Sequence, residues 1–271
     1  MPARTNSLKV SQKPEILMRT YLPVGLTVAG SDSGGEAGIQ ADLKTFATLK
    51  VHGTTAITCI TAQNRRAVTS IEPCSPAMVR AQLDAVASEF SILAAKTGML
   101  ESAAIVHEVA KFFQRMPEIK LIVDPVIIST SGRRLLSLEG VKTLQHELLP
   151  LATLVTPNVA EAEVLTGAKI KTIEDLRAAA RQIHEKFGCA ALVKGGHLPG
   201  TNEALDFLSS NDGEWMFSAP RARGVKLHGT GCTYSAAITA WLGRGKTLLK
   251  SIEFAKEHIT QVVHTTFKHN H

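Results

Sequence analysis

The run with the sharpest chemical content is His228-Gly229-Thr230-Gly231-Cys232-Thr233, which leads straight into Ser235-Ala236-Ala237-Ile238. Two glycines let the backbone approach a ligand and turn its N–H groups inward, and the helix that follows aims its positive end at the same spot. Such a turn holds anions. It suits the charge of a transferring phosphoryl group, a reaction in which positioning and electrostatics supply most of the catalysis. Cys232 stands at that helix start, where the dipole favours thiolate. The spacing therefore predicts a lowered thiol pKa and a base able to accept the proton of an attacking hydroxyl. A glycine N-cap turn with a buried cysteine accounts equally well for these four residues taken alone.

Thr156-Pro157-Asn158-Val159-Ala160-Glu161 is a second candidate. Asn158 and Glu161, three apart at a strand-to-helix junction, can both face a site and orient the waters of Mg²⁺ beside nucleotide phosphates. Plain helix capping, with Asn158 as N-cap and Glu161 at N3, is the stronger reading of these residues alone. Two familiar phosphate motifs fail. Gly245-Lys246-Thr247 resembles the end of a P-loop, but position 240 is Ala and a helical stretch precedes it. Gly30, Gly34, Gly35 and Gly38 lack the spacing of a dinucleotide fingerprint.

The elements that must position these residues alternate. Gly25–Gly30 reads as a buried strand, followed by a Gly-rich turn and a helix with Ile39, Leu43, Phe46 and Leu49 at helical spacing. Thr55–Ala62, Ile92–Lys96, Leu121–Asp124, Thr153–Thr156 and Ala190–Lys194 read as further strands. Between them lie helical patterns: Met78, Leu83, Val86 and Phe90 on one core face, then Ile105–Phe113, Val141–Leu149 and Ile173–Phe187. Ala204–Leu208 and Trp215–Ser218 form a hairpin about Asn211-Asp212-Gly213, and two helices close the chain. This pattern predicts an α/β fold with a mostly parallel sheet covered by helices on both faces, and a site at the carboxyl ends of the strands. Asp32, Asp124, Asn158 and Lys194 all fall at such ends.

Composition narrows the classes. The chain has 271 residues, 44% hydrophobic and 20% charged, with two Trp and two Tyr. That is a globular balance, and the scarcity of aromatics argues against base stacking as its main business. Thirty basic against 24 acidic residues give a formal charge of +6. The basic residues are scattered, so an ordinary surface plus phosphate-handling sites is favoured over nucleic-acid binding. Cys59, Cys74, Cys189 and Cys232 include no CxxC pair, which removes zinc-finger and thioredoxin readings and fits a reducing compartment. Cys59 and Cys189 read as small core residues. No apolar run approaches the roughly 20 residues of a membrane helix. Residues 1–20 read as a poorly ordered extension and 21–271 as a single domain.

In order along the chain stand AGSDSGGEAGIQADLKT (29–45), TAQN (61–64), KTGML (96–100), VDPV (123–126), TPNVAEAEVL (156–165), VKGGH (193–197) and HGTGCTYSAAI (228–238). Together they resemble the hydroxymethylpyrimidine/phosphomethylpyrimidine kinases of thiamine biosynthesis, within the ribokinase-like superfamily. The resemblance runs from about Leu26 to the last helix. It implies a three-layer fold, a homodimer in the cytoplasm, and ATP and Mg²⁺ as cofactors. It also implies phosphorylation of an aminopyrimidine alcohol and then of its monophosphate, with no nucleic acid or membrane partner. Gly30, Asp42 and Gln63 would hold the pyrimidine, with Met99 as an apolar wall, although an ordinary core methionine fits Met99 as well. Gly229, Thr230 and Gly231 would form the anion hole with Cys232 as base. Lys194, Asn158 and Glu161 would serve the nucleotide and its magnesium. One departure is Glu36, where the family commonly has glycine. A pyridoxine/pyridoxal kinase of the same superfamily is the nearest alternative. Adenosine- or sugar-type kinases, a non-catalytic nucleotide binder and a nucleic-acid binder stand further off.

Overall fold

Continuous apolar runs form strands here because both faces of the sheet are covered. In β4 (Ile92–Thr97), β5 (Lys120–Val123), β6 (Leu154–Val155) and β7 (Ala190–Lys194) the buried side chains alternate between two opposite cores. Ala94, Ile122, Leu154 and Leu192 pack on one side, and Ala95, Val123, Val155 and Val193 on the other. Double burial of this kind removes the polar alternation of a half-exposed strand. The computed structural model describes residues 22–129, 132–196, 198, 202–221 and 228–269. The predicted extension, 1–20, lies outside them.

The remaining elements are β1 (Val24–Asp32), α1 (Gly38–Thr48), β2 (His52–Gln63), β3 (Val68–Pro73), α2 (Pro76–Glu89), α3 (Ala103–Arg115), α4 (Leu138–Thr143), α5 (Val159–Thr166), α6 (Ile173–Phe187), β8 (Glu203–Ser210), β9 (Gly213–Pro220), α7 (Thr230–Gly243) and α8 (Leu248–His269). The strands form one nine-stranded sheet in the order β3-β2-β1-β4-β5-β6-β7-β8-β9. From β2 to β7 the neighbours are parallel, while β3, β8 and β9 run antiparallel at the two ends. Residues of α2, α3, α5 and α6 fill one core, and those of α1, α7 and α8 the other. This is the expected α/β three-layer arrangement.

Two expectations need correction, and one strand carries no sequence signal: only Val68 of the six residues of β3 is buried, and no apolar period marks it. Met78 is 55% exposed, and Val79 takes its place in the core of α2 beside Leu83. The predicted helix over 141–149 begins earlier, as α4, then widens into a π-turn over Leu144–Leu148 and tightens over Leu149–Leu151.

From β1 the chain goes to β2 and β3 on one side, then returns through α2 to place β4 on the other. The carboxyl ends of β1 and β4 therefore part at a topological switch point, the favoured place for a ligand in open α/β sheets. α7 is built for close approach to the sheet. Its small residues Ala236, Ala237 and Ala240 are wholly buried. They share a core with Ala94 and Ile122, so the N-terminus of α7 is delivered over the strand ends.

Candidate active site

Gly229 caps α7 in the left-handed region, with φ +76°, and no side chain caps the first turn. The first N–H groups of α7 are thus left to whatever sits in front of them. A Cβ on Gly229 would lie 1.8 Å from the Glu36 carbonyl oxygen, so only glycine lets this turn rest against the turn that follows β1. At Gly231 an added Cβ would be 3.3 Å from Lys194 Nζ and 3.8 Å from Asp124 Oδ2. The Gly229–Gly231 turn is therefore wedged between the β1 turn on one side and a charged cluster on the other.

That cluster is built on strand ends. Lys194 Nζ donates to Asp124 Oδ1 at 3.0 Å, and Asp124 is further held by Thr156 Oγ1 at 3.3 Å. Ser235 Oγ lies 3.2 Å from Asp124 Oδ2 and 3.1 Å from the Cys232 carbonyl oxygen, and donates to one at a time. Burial alone would raise the Asp124 carboxyl, but Lys194 and Lys96 together hold it below its usual range. Burial likewise opposes the charge on Lys194, and the facing Asp124 and Glu161 more than restore it. Lys194 N donates to the Pro157 carbonyl at 2.8 Å, which ties β7 to the start of α5. There Asn158 and Glu161 make a reciprocal capping box: Asn158 Oδ1 accepts from Glu161 N at 3.0 Å, and Glu161 Oε2 from Asn158 N at 2.9 Å. Burial pushes the Glu161 carboxyl up to about 8 despite the neighbouring Lys194.

On the other side, Asp32 shapes the β1 turn. Its Oδ1 accepts from Gly34 N at 2.8 Å, and its Oδ2 from Glu36 N at 3.0 Å and Ala37 N at 2.8 Å. Gly35 and Gly38 take positive φ, but Glu36 does not, so glutamate is tolerated where the family commonly has glycine. Its carboxylate pairs with Arg65 at 2.6 Å across the mouth of the site. A cavity of about 150 Å³ opens here, lined by Asp32, Glu36, Gln63, Arg65 and His228 among others. Gln63 is partly exposed, and its backbone is fixed by Ser33 Oγ at 2.8 Å. Gly30 faces Met99: an added Cβ would sit 2.7 Å from Cys59 Sγ and 3.8 Å from Met99 Sδ.

The structure thus gathers Lys194, Asn158, Glu161 and Gly229–Cys232 at one place, and Gly30 with Met99 beside it. Gln63 lines the adjoining cavity. Asp42, expected to hold the pyrimidine, lies in the interior. It is fully buried, and its oxygens are held by Thr27 Oγ1 at 2.6 Å and Lys96 Nζ at 3.1 Å. The expected lowering of the Cys232 thiol is also overturned. Burial pushes it up to about 11, although Lys96 and the Gly38 N–H both pull the other way. Sequence reasoning missed Lys96 and Ser235 as site residues and noted Asp124 only as a strand end. Lys96 in KTGML was the available signal, a charge inside an apolar strand.

Residues 32–271 match the phosphomethylpyrimidine kinase family. A hydroxymethylpyrimidine/phosphomethylpyrimidine kinase of Haemophilus influenzae is 43% identical over 88% of this chain and 90% of its own length. A thiamine biosynthesis bifunctional protein, ThiED, of Geobacter sulfurreducens is 44% identical over 88% of this chain, which spans only 48% of that longer protein. The crystal structure of a phosphomethylpyrimidine kinase from Clostridium difficile superposes with a TM-score of 0.79 at 37% identity, over 89% of this chain and 99% of that one. A pyridoxal kinase of Staphylococcus aureus in complex with AMP-PCP and pyridoxal superposes with a TM-score of 0.80 at 31% identity, over 88% and 86%. The uncapped Gly229–Gly231 turn stands against the charged cluster of Asp124 and Lys194, and with the match over nearly the whole chain this protein belongs to the phosphomethylpyrimidine kinase family.

Proposed function

We propose that the enzyme moves the γ-phosphoryl group of ATP onto 4-amino-5-hydroxymethyl-2-methylpyrimidine, and then phosphorylates the monophosphate to the diphosphate for thiamine diphosphate synthesis. The observation that carries this reading is the uncapped Gly229–Gly231 turn, set between the Asp124–Lys194 pair and the cavity that holds Gln63. The names of its relatives supply the substrate, and the AMP-PCP bound by the related pyridoxal kinase supports ATP as donor.

The chemistry follows from these residues. The Gln63 amide offers one acceptor and two donors, a match for the ring nitrogen and amino group of an aminopyrimidine. Gly30 and Met99 wall the ring, and Asp42 acts from beneath. In the form of the enzyme whose Cys232 is a thiolate, the substrate hydroxyl gives its proton to that sulfur as its oxygen bonds to the γ-phosphorus. The bond from that phosphorus to the β,γ-bridging oxygen breaks, and ADP leaves. N–H groups of the Gly229–Gly231 turn meet the charge on the transferring group, and Lys194 balances the phosphates. Glu161 and Asn158, held beside Lys194, would be outer contacts of the Mg²⁺ that accompanies the nucleotide, an ion that keeps most of its waters and binds through phosphates and one or two carboxylates. Bound Mg²⁺ would neutralise phosphate charge.

No helix among the described residues is long and apolar enough to cross a membrane. Four free cysteines suit a reducing compartment, and we place the enzyme in the cytoplasm as a homodimer. ATP consumption with the hydroxymethylpyrimidine and, separately, with pyridoxal tests the substrate. A preference for the pyrimidine that is lost in Gln63→Met supports the reading. A preference for pyridoxal, or unchanged pyrimidine affinity in Gln63→Met, overturns it.

A further inference from the structure

A lysine with no exposed surface is rare, and a fully buried ion pair is seldom kept for stability alone. Lys96 and Asp42 are both at zero side-chain exposure. The pair lies under the site. Lys96 Nζ would be 3.2 Å from a Cβ on Gly98, one residue before Met99, and Asp42 projects from α1 four residues beyond Gly38. Ala94, two residues before Lys96 and so on the same face of β4, shares a core with Ala236 and Ala237 of α7, which puts Lys96 beneath the helix that carries Cys232.

The hydrogen-bond inventory points upward from this pair. An ammonium has three donors. Among the described residues Lys96 meets only the two Asp42 oxygens, each at 3.1 Å. At least one N–H of a wholly buried cation is therefore left for an acceptor that the surrounding fold does not supply. Leaving such a donor unmet costs about 1–3 kcal/mol or more, so the position is retained at a cost that a role in the site would offset. Asp42, by contrast, accepts on both oxygens, with Thr27 and Lys96 on Oδ2 and Lys96 on Oδ1.

We infer that Lys96 is a positioning residue for phosphoryl transfer, a buried cation that acts on Cys232 from beneath the start of α7 while Asp42 tempers its charge. The charged groups that face Cys232 are Lys96 of β4, Asp42 of α1, Asp124 after β5 and Lys194 at the end of β7. Lys96 is the largest opponent of the burial that keeps the sulfur protonated, and Asp42 and Asp124 act with burial. Lys96 stays protonated throughout: burial would discharge it, but Asp42, Cys232 and Asp124 hold it well above the usual lysine range. The proton of the substrate hydroxyl goes to sulfur alone, and Lys96 takes part only through its field. This role rests on Cys232 being the base of the proposed reaction.

The test reads the sulfur directly. Iodoacetamide alkylation of Cys232 is followed against pH by peptide mass spectrometry in the intact protein, so that Cys59, Cys74 and Cys189 are resolved separately. Lys96→Met should slow alkylation at pH 9 about tenfold or more, the effect of one pH unit in thiolate fraction. Asp42→Asn should speed it by a similar factor, because it leaves the cation unpaired. The double variant should fall between the two. A merely structural pair would give single variants that shift in the same direction, or not at all, and either result overturns the inference. Lys96→Met leaves a buried carboxylate alone and can fail to fold. In that case an Asp42→Asn rate at or below that of the unsubstituted protein decides against it. Alkylation needs no turnover, so opposite shifts in a protein that phosphorylates no pyrimidine would keep the charge reading and remove only the substrate.

Discussion

Gly229→Ala is the substitution whose consequence the geometry fixes most closely. Two separate penalties apply. The first is conformational: a non-glycine residue at φ +76° costs on the order of 1 kcal/mol or somewhat more. The second is steric. The new Cβ would lie 1.8 Å from the Glu36 carbonyl oxygen, where anything under 3.0 Å forces a shift. One of the two turns must therefore move by on the order of 1 Å, a displacement of reacting groups that can cost about 10²-fold in rate. The β1 turn resists, because Asp32 accepts three of its N–H groups. The anion turn then moves, and the N–H groups that should meet the γ-phosphoryl are misplaced. Gly188→Ala is the control. It has φ +74° at the end of α6, and an added Cβ meets nothing within 4 Å, so it carries the conformational penalty alone. Thermal melting and coupled ADP release on the two variants separate the effects. Gly188→Ala should lower Tm by a few degrees and leave kcat within about twofold. Gly229→Ala should lose about 10²-fold in kcat while remaining folded. Equal kcat in the two variants would refute the placement of the Gly229–Gly231 turn against the transferring group.

Two further outcomes follow from the titrating groups. With the Cys232 thiol at about 11 in the free enzyme, log kcat/KM should rise with a slope near one between pH 7 and pH 10. Cys232→Ala should lose about 10²–10⁴-fold and abolish that slope, whereas a flat profile or near-normal turnover in the alanine variant removes Cys232 as base. Glu161 has a folded pKa of about 8, above its ordinary 4.5, so between those values the folded state binds more protons than the unfolded one. Stability of the unliganded protein should therefore fall as pH rises from about 4.5 to about 8, by up to about 5 kcal/mol from this group. Glu161→Gln keeps the capping box but cannot ionise, and in urea titrations its stability should change less over that window. Equal slopes for the two proteins would show that Glu161 titrates normally.

Much of the architecture was legible because double burial writes itself as uninterrupted apolar runs. Ile92–Lys96, Leu121–Asp124 and Ala190–Lys194 could hardly be anything but strands of a covered sheet. The antiparallel margin was only partly legible. Asn211-Asp212 announces its hairpin, with Ser210 paired to Gly213, but β3 has a solvated face on both sides and leaves no period to read. In α2 only Met78 was misplaced: Leu83, Val86 and Phe90 meet the core as expected, and Val79, four residues before Leu83, completes their stripe.

The site was legible wherever backbone geometry sets the chemistry, and illegible wherever burial does. Asn158 and Glu161 show why two readings of one motif need not compete. The capping box forms, and by forming it locks both side chains beside Lys194, where the proposed nucleotide site would use them. Asp42 and Lys96 lie 54 residues apart, and nothing in their neighbours announces that they meet in a dry interior. Cys232 is the sharpest case. A sequence displays the glycines and the helix that follow from one another, and hence the dipole that lowers a thiol pKa. It does not display the loss of water around the sulfur, which here outweighs the dipole. A helix end acts on a partly exposed charge with about 0.3–1 kcal/mol, whereas burial of a charged group costs several. Once the sulfur is enclosed, the dipole alone cannot decide its protonation. A full positive charge within the enclosed site can oppose that cost, and Lys96 is the one that faces Cys232 most strongly from below.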